Sequence, residues 1–150
     1  MFINHNKNSD GFTLLETLVA VAIGVAVSLI MVISMSFGLK SIRASNDLER
    51  LHADSVFIAN ILGYWIKQSR VIDSPDSATL AITLYDSTVK TFTHTGDNLE
   101  LDGRRVNTED SLVEDWEFTE LANSARFSFT LRSPKSGIKF SATSTVARRN

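Results

Sequence analysis

A single carboxylate, Glu16, lies near the start of the most apolar stretch of this 150-residue chain. Phe12 to Leu39 comprises 28 residues, and Glu16 is the only charged one. A charge in the hydrocarbon of a bilayer costs at least about 2.5 kcal/mol, so such residues are rare and usually have a functional partner. An ordinary membrane anchor does not need this carboxylate. The first question is therefore which positive group Glu16 meets.

An N-terminal amine would be a suitable partner if the chain were cut between Gly11 and Phe12. The new α-amine would be positive at neutral pH. Glu16 follows four residues later, at the helical spacing that permits a contact within one chain. A contact with the amine of a neighbouring, axially shifted copy is also open, and it would neutralise both charges inside a bundle. The start of a helix further favours an anion.

The run Gly11-Phe12-Thr13-Leu14-Leu15-Glu16, followed by a charge-free segment, resembles the class III signal of type IV prepilins and type II secretion pseudopilins. In that family the prepilin peptidase cuts after the glycine and methylates the new phenylalanine amine. The resemblance implies that Gly11 precedes the cut, that Phe12 is the N-methylated first mature residue, and that Glu16 is the assembly glutamate. It also implies a structural subunit, not an enzyme, that needs no cofactor. Its partners would be the peptidase, other pilin or pseudopilin subunits and, before assembly, the inner membrane.

Two features depart from the family pattern. The leader is only weakly basic, because Lys7 is offset by Asp10, whereas basic residues follow the apolar run. A positive-inside count alone would place the N-terminus outside, but the resemblance implies a cytoplasmic N-terminus and an extracytoplasmic C-terminal domain. The apolar helix also lacks the proline that many major pilins carry, and Gly24 is the only weak point in its first half.

The elements that position these residues are a long helix and a β-rich region. Residues 1–11 form the leader and 12–39 the transmembrane or assembly helix, whose 23 uncharged residues from Thr17 to Leu39 suffice to span a bilayer. Residues 40–72 are predicted to continue the helix, with Asp73-Ser74-Pro75-Asp76 ending it. An apolar stripe recurs at helical spacing in this segment: Leu48, Leu51, Ile58, Ile61, Leu62, Trp65 and Ile66. The stripe is expected to cover a sheet of the same chain. A partner-facing coiled coil is the alternative. Charged residues are expected on the other faces: Lys40, Arg43, Asp47, Glu49, Arg50 and Asp54.

Residues 73–150 show the alternation and turn signals of short antiparallel strands. Strand faces are predicted for Leu80, Ile82 and Leu84; for Val89 to His94; for Leu99 and Leu101; for Leu112, Trp116 and Phe118; for Phe127, Phe129 and Leu131; and for Ile138, Phe140 and Ala142. Turns are predicted at 95–98, at Asp102-Gly103 and at 133–137. The fold class is therefore α+β: a long N-terminal helix packed on a mostly antiparallel sheet.

Few other residues suggest chemistry. An acidic run could hold Ca²⁺ but is better explained as a solvated loop and strand face: Glu109, Asp110, Glu114, Asp115, Glu117 and Glu120. His52 and His94 lie in different elements without metal-ligand spacing, so no metal site is expected. There is no cysteine and no phosphate-binding or nucleophile motif. The basic pairs Arg104-Arg105 and Arg148-Arg149 are interpreted as exposed strand ends, and direct nucleic-acid binding is not expected.

The C-terminal region also resembles one branch of the family loosely. The segments GDNLELDG (96–103), LVEDWEFTEL (112–121) and STVARRN (144–150) are similar to J-type minor pseudopilins and W-type minor pilins. The sequence does not distinguish a secretion system from a pilus or a DNA-uptake apparatus. A second hypothesis, from another class, is a permanently anchored single-pass protein whose extracytoplasmic β-rich domain binds a ligand or DNA.

Overall fold

A computed structural model describes residues 13–121 and 124–148. Helix α1 spans Leu14–Lys67, 54 residues. The chain divides into two compact units between Ile42 and Arg43. In the first unit every described residue is exposed, and this part of α1 is long and apolar enough to cross a membrane.

The second unit contains the rest of α1 and eight strands. These are β1 Ser69–Asp76, β2 Thr79–Leu84, β3 Val89–Thr95, β4 Asn98–Leu101, β5 Arg104–Arg105, β6 Leu112–Leu121, β7 Ser124–Arg132 and β8 Lys139–Ala147. They form two antiparallel sheets, one in the order β1-β2-β3-β4-β5 and one in the order β6-β7-β8. The predicted α+β class, a long helix packed on antiparallel strands, is confirmed, although the strands divide into two sheets instead of one.

One stripe of α1 packs on these sheets. Its buried residues recur every three or four positions: Leu51, Ser55, Ile58, Leu62 and Ile66, with Gly63 also buried. The prediction that the stripe covers strands of the same chain is therefore confirmed. Leu48 is an exception, because 44% of its surface is exposed.

One turn before Leu51, the stripe continues with Asp47 and not with Leu48. Asp47 and Asp54 were expected on the outer faces, but both are half-buried. The Oδ2 atom of Asp54 accepts hydrogen bonds from Thr108 Oγ1 and Ser111 Oγ, both at 2.5 Å. Asp47 Oδ2 accepts one from Ser133 Oγ at 3.2 Å. The expectation for these two aspartates was wrong because hydroxyl groups of two loops supply the partners that a half-buried carboxylate requires.

The helix ends at Lys67, five residues before the predicted Ile72. Gln68 N–H donates to Trp65 O at 3.1 Å, a tight last turn, and β1 begins at Ser69. The β-branched Val71 and Ile72 pair with residues of β2, a conformation that such side chains favour. Pro75 does not end a helix; it lies in the irregularity of β1 between Asp73 and Asp76, on a sheet edge where proline is tolerated.

A second irregularity changes which face of β6 is buried. The register shifts between Val113 and Asp115, so Val113 is buried beside Trp116 while Leu112 is half-buried. The prediction that Leu112 shares this face was wrong, because a bulge inverts the alternation locally. The predicted turn at Asp102-Gly103 is confirmed, with φ angles of 51° and 77° that match a two-residue hairpin loop.

Candidate functional site: the start of the apolar helix

Glu16 closes the first turn of α1. Thr13 N–H donates to Glu16 Oε2 at 3.0 Å, and the Thr13 hydroxyl donates to the same oxygen at 3.1 Å. Glu16 N–H lies 3.2 Å from Thr13 Oγ1 and donates to it. This reciprocal arrangement is a capping box, in which the cap residue and the third helical residue satisfy each other's free amide groups.

The capping box gives Glu16 polar partners inside its own chain. A helix start leaves four N–H groups without intrahelical acceptors, and in an apolar environment each such group is costly. The carboxylate also lies at the end of the helix where the backbone dipole favours a negative charge. Sequence reasoning missed this contact, although the Thr-x-x-Glu spacing of residues 13–16 is its known signature.

Gly11 and Phe12 lie outside the described residues. Glu16 makes no ion pair with any residue in 13–121 or 124–148. The proposed pairing of Glu16 with an N-terminal amine therefore stays a prediction. What the structure adds is that the carboxylate is oriented toward Thr13, at the N-terminal end of α1.

The helix that follows Glu16 is suited to an apolar environment. Its large side chains are exposed; Leu18, Ile30 and Met35, for example, each expose roughly two thirds of their surface. The hydroxyl groups of Thr17, Ser28 and Ser36 each donate to the carbonyl oxygen four residues earlier. Because these polar groups are satisfied within the helix, they add little cost to its insertion into lipid.

The acidic run has local partners. Asp110 contacts Lys135 Nζ at 2.6 Å and Arg50 at 3.3 Å. Glu114 contacts Arg132 at 2.5 Å and Lys139 at 2.6 Å. The hydrogen bond from Lys135 lowers the pKa of Asp110, and the one from Lys139 lowers the pKa of Glu114.

The two histidines also have structural contacts. His94 Nε2 donates to Val113 O at 2.9 Å. His52 lies edge-on to Phe140, with 5.4 Å between the ring centres. Within residues 13–121 and 124–148, no group of three or more His, Asp or Glu side chains is arranged to hold a metal ion.

Comparison with known families agrees with this geometry. Residues 6–35 match the family described as the prokaryotic N-terminal methylation motif. The chain therefore carries a type IV prepilin-like signal, and this signal overlaps the start of a helix that is long and apolar enough to cross a membrane. No curated protein and no solved structure matches the chain.

Proposed function

We propose that this protein is a minor pilin or pseudopilin, a structural subunit of a type IV pilus or a type II secretion pseudopilus. The observation that carries the proposal is the methylation motif at residues 6–35, which covers Gly11, Phe12 and Glu16 together. The exposed apolar helix after Glu16 supports it, since such a surface requires lipid or neighbouring helices. In this role the chain is the substrate of an enzyme and not an enzyme itself.

The resemblance to type IV prepilins implies the following sequence of events. The precursor inserts as a single-pass protein with its N-terminus in the cytoplasm and its β-rich part outside. The prepilin peptidase cuts after Gly11 and methylates the Phe12 amine. The helix then leaves the inner membrane for the filament, and Glu16 pairs with the amine of a neighbouring subunit. That pairing sets the axial register, because an unpaired charge buried among helices is strongly unfavourable.

The intact mass of the protein purified from its native host tests the proposal. We expect a mass that lacks Met1 to Gly11 and carries one additional methyl group. Gly11→Val should retain the full leader. Gly24→Ala is the matched control, since no atom lies within 4 Å of the added methyl group, and it should be processed normally.

An uncut N-terminus in the wild-type protein would contradict the proposal. It would instead favour the permanently anchored binding protein. A cut at a different bond would refute the assignment of Gly11 and Phe12.

A further inference from the structure

The outer edge of β8 has backbone groups without partners in the described chain. β8 is a terminal strand of its sheet and pairs only with β7. Ser133 N–H donates to Ile138 O at 2.9 Å at the hairpin end. Hydrogen-bonded pairs alternate along an antiparallel ladder. The even-numbered residues 140–146 therefore bond to β7, and Ser141, Thr143 and Thr145 direct their N–H and C=O groups outward.

A groove runs along the same edge. One wall is formed by Ser144 to Ala147 of β8, and α1 forms the other with Ala59, Asn60, Gly63, Tyr64 and Lys67. At the base of the groove α1 lies close to β8, because Gly63 has no side chain. A methyl group added at Gly63 would meet Val146 Cγ2 at 3.6 Å. The groove has a volume of about 540 Å³, which leaves space beside the strand for another extended segment.

The other sheet edges carry features that oppose strand addition. β1 contains Pro75 and a register irregularity. β5 has only two residues, both arginines. β6 has a bulge, acidic side chains, and an attachment to the first sheet through Val113 N–H and Asp97 O at 2.9 Å. Proline, bulges, charges and short length are the usual means of blocking an edge.

Apart from Lys139 at its first position, β8 has none of these features. Residues 140–147 contain no charge, proline or glycine, and the pairing with β7 is regular throughout. The two flanking cations are held within the sheet, Lys139 by Glu114 at 2.6 Å and Arg148 by Glu120. A regular edge strand of nine residues, the last eight of them uncharged, would be an aggregation hazard unless it normally meets a partner.

We propose that β8 is a docking edge that accepts an extended segment of a different protein as an added strand. Main-chain hydrogen bonds would supply the affinity, and alternate side chains the specificity. The segment would be uncharged over most of its length, with small or apolar residues facing the groove floor. One acidic residue would lie opposite Lys67, whose ammonium group has no ion-pair partner among the described residues. The proposal does not depend on the filament function, since a permanently anchored protein would present the same edge.

A second copy of the chain fits less well. His52 lies against Phe140, and Gly63 lies against Val146, so α1 and β8 run in the same direction along the groove. A symmetric pair of β8 strands would be antiparallel. In addition, the β8 strand of a second copy carries Lys139 and Arg148 at its ends and no acidic residue that could lie opposite Lys67.

Site-directed photocross-linking of the full chain in its native host tests the proposal. The protein has no cysteine, so Ser141→Cys, Thr143→Cys and Thr145→Cys can each carry a maleimide-benzophenone probe at one defined position. We expect all three to attach to the same segment of one partner, with the attachment point moving by about two residues at each step, because strand pairing has that period. Ser128→Cys, on the central strand β7, is the matched control and should give no such product.

A second pair of variants tests the main-chain contact. Thr143→Pro in the Ser141→Cys protein removes one outward N–H, and we expect the cross-linked yield to fall by about tenfold, as for the loss of one good hydrogen bond. Thr143→Val keeps that N–H and should retain the yield. If Thr143→Pro lowers the thermal unfolding midpoint, Thr143→Lys replaces it, since a lysine blocks an edge without altering the backbone. The absence of a product, attachment without regular spacing, or products between identical chains only would each overturn the proposal.

Discussion

At the scale of single residues, the Glu16 carboxylate has one observed polar contact and one proposed one. The observed one is the capping box with Thr13, in which Oε2 accepts two hydrogen bonds. The proposed one is an ion pair with the amine of a neighbouring subunit. The two are compatible in chemistry, because an ionised carboxylate has about four acceptor sites on two oxygens.

Two substitutions at Glu16 separate these contacts. Glutamine at this position can still close a capping box but carries no charge, whereas alanine removes both. We therefore expect Glu16→Gln to be processed and inserted normally but to enter filaments poorly, and Glu16→Ala to behave at least as badly. The measurement is the ratio of filament-associated to membrane-associated protein, with cleavage and methylation confirmed by mass.

Thr13→Val provides the control for the cap alone. This variant lacks the hydroxyl group of residue 13 but keeps the backbone N–H of that residue and the charge of Glu16. We therefore expect the variant to assemble into filaments. If Glu16→Gln assembles as well as the wild type, the capping box accounts for Glu16 and the ion-pair hypothesis is wrong.

At the scale of elements, the register of α1 against the sheets is fixed by polar contacts as well as by apolar packing. The loop between β5 and β6 is held by Asn107, whose Oδ1 accepts from Leu99 N–H at 2.9 Å and whose Nδ2 donates to Ser111 O at 2.5 Å. Asp54 of α1 binds the same loop through Thr108 and Ser111. The loop that links the two sheets is therefore tied directly to the helix.

Loss of the Asp54 carboxylate should destabilise this arrangement. Asp54 Oδ2 accepts two hydrogen bonds. We therefore expect Asp54→Ala to lower the free energy of unfolding by about 2–4 kcal/mol. Asp47→Ala, which loses one longer bond at 3.2 Å, should cost less. Chemical denaturation of the full chain in detergent, followed by the fluorescence of Trp65 and Trp116, measures both. Equal losses for the two variants would contradict the argument.

At the scale of the whole molecule, the charges of the second unit make its stability dependent on pH. Hydrogen bonds from Lys90 and from Lys135 lower the pKa of Asp102 and Asp110, respectively. The backbone N–H of Thr88 lowers the pKa of Asp86, and Lys139 lowers that of Glu114. A group whose pKa is lower in the folded state stabilises that state above its unfolded pKa and loses this contribution as pH falls toward the folded pKa.

We therefore expect the thermal unfolding midpoint to be nearly constant near neutral pH and to fall below about pH 4, where these carboxyl groups titrate in the unfolded chain. Glu114→Gln removes one of the ionised groups. This variant should be slightly less stable at neutral pH, and its midpoint should change less on acidification than that of the wild type. A thermal unfolding midpoint that rises as pH falls through this range would show that these carboxyl groups do not stabilise the folded state in their ionised form.

Much of the molecule could be predicted from particular residues, and the failures have local causes. The alternation of Leu80, Ile82 and Leu84 identified β2, and all three are buried. The end of α1 was predicted five residues too late, because the spacing of apolar residues in the helix does not show that Val71 and Ile72 pair with β2. The burial of Asp47 and Asp54 could not be predicted, since their hydroxyl partners lie more than fifty residues away in the chain. The capping contact of Glu16, in contrast, could have been predicted, because its partner Thr13 is only three residues away and Thr-x-x-Glu is the usual capping-box sequence.

The position of the helix start has one consequence for proteolysis. The Gly11-Phe12 bond precedes the first helical residue, Leu14, and the capping box is closed entirely by atoms of Thr13 and Glu16. A peptidase that cleaves this bond would break none of the hydrogen bonds of the described first turn. The product would keep the same first turn as the precursor, with a free amine one residue before its cap.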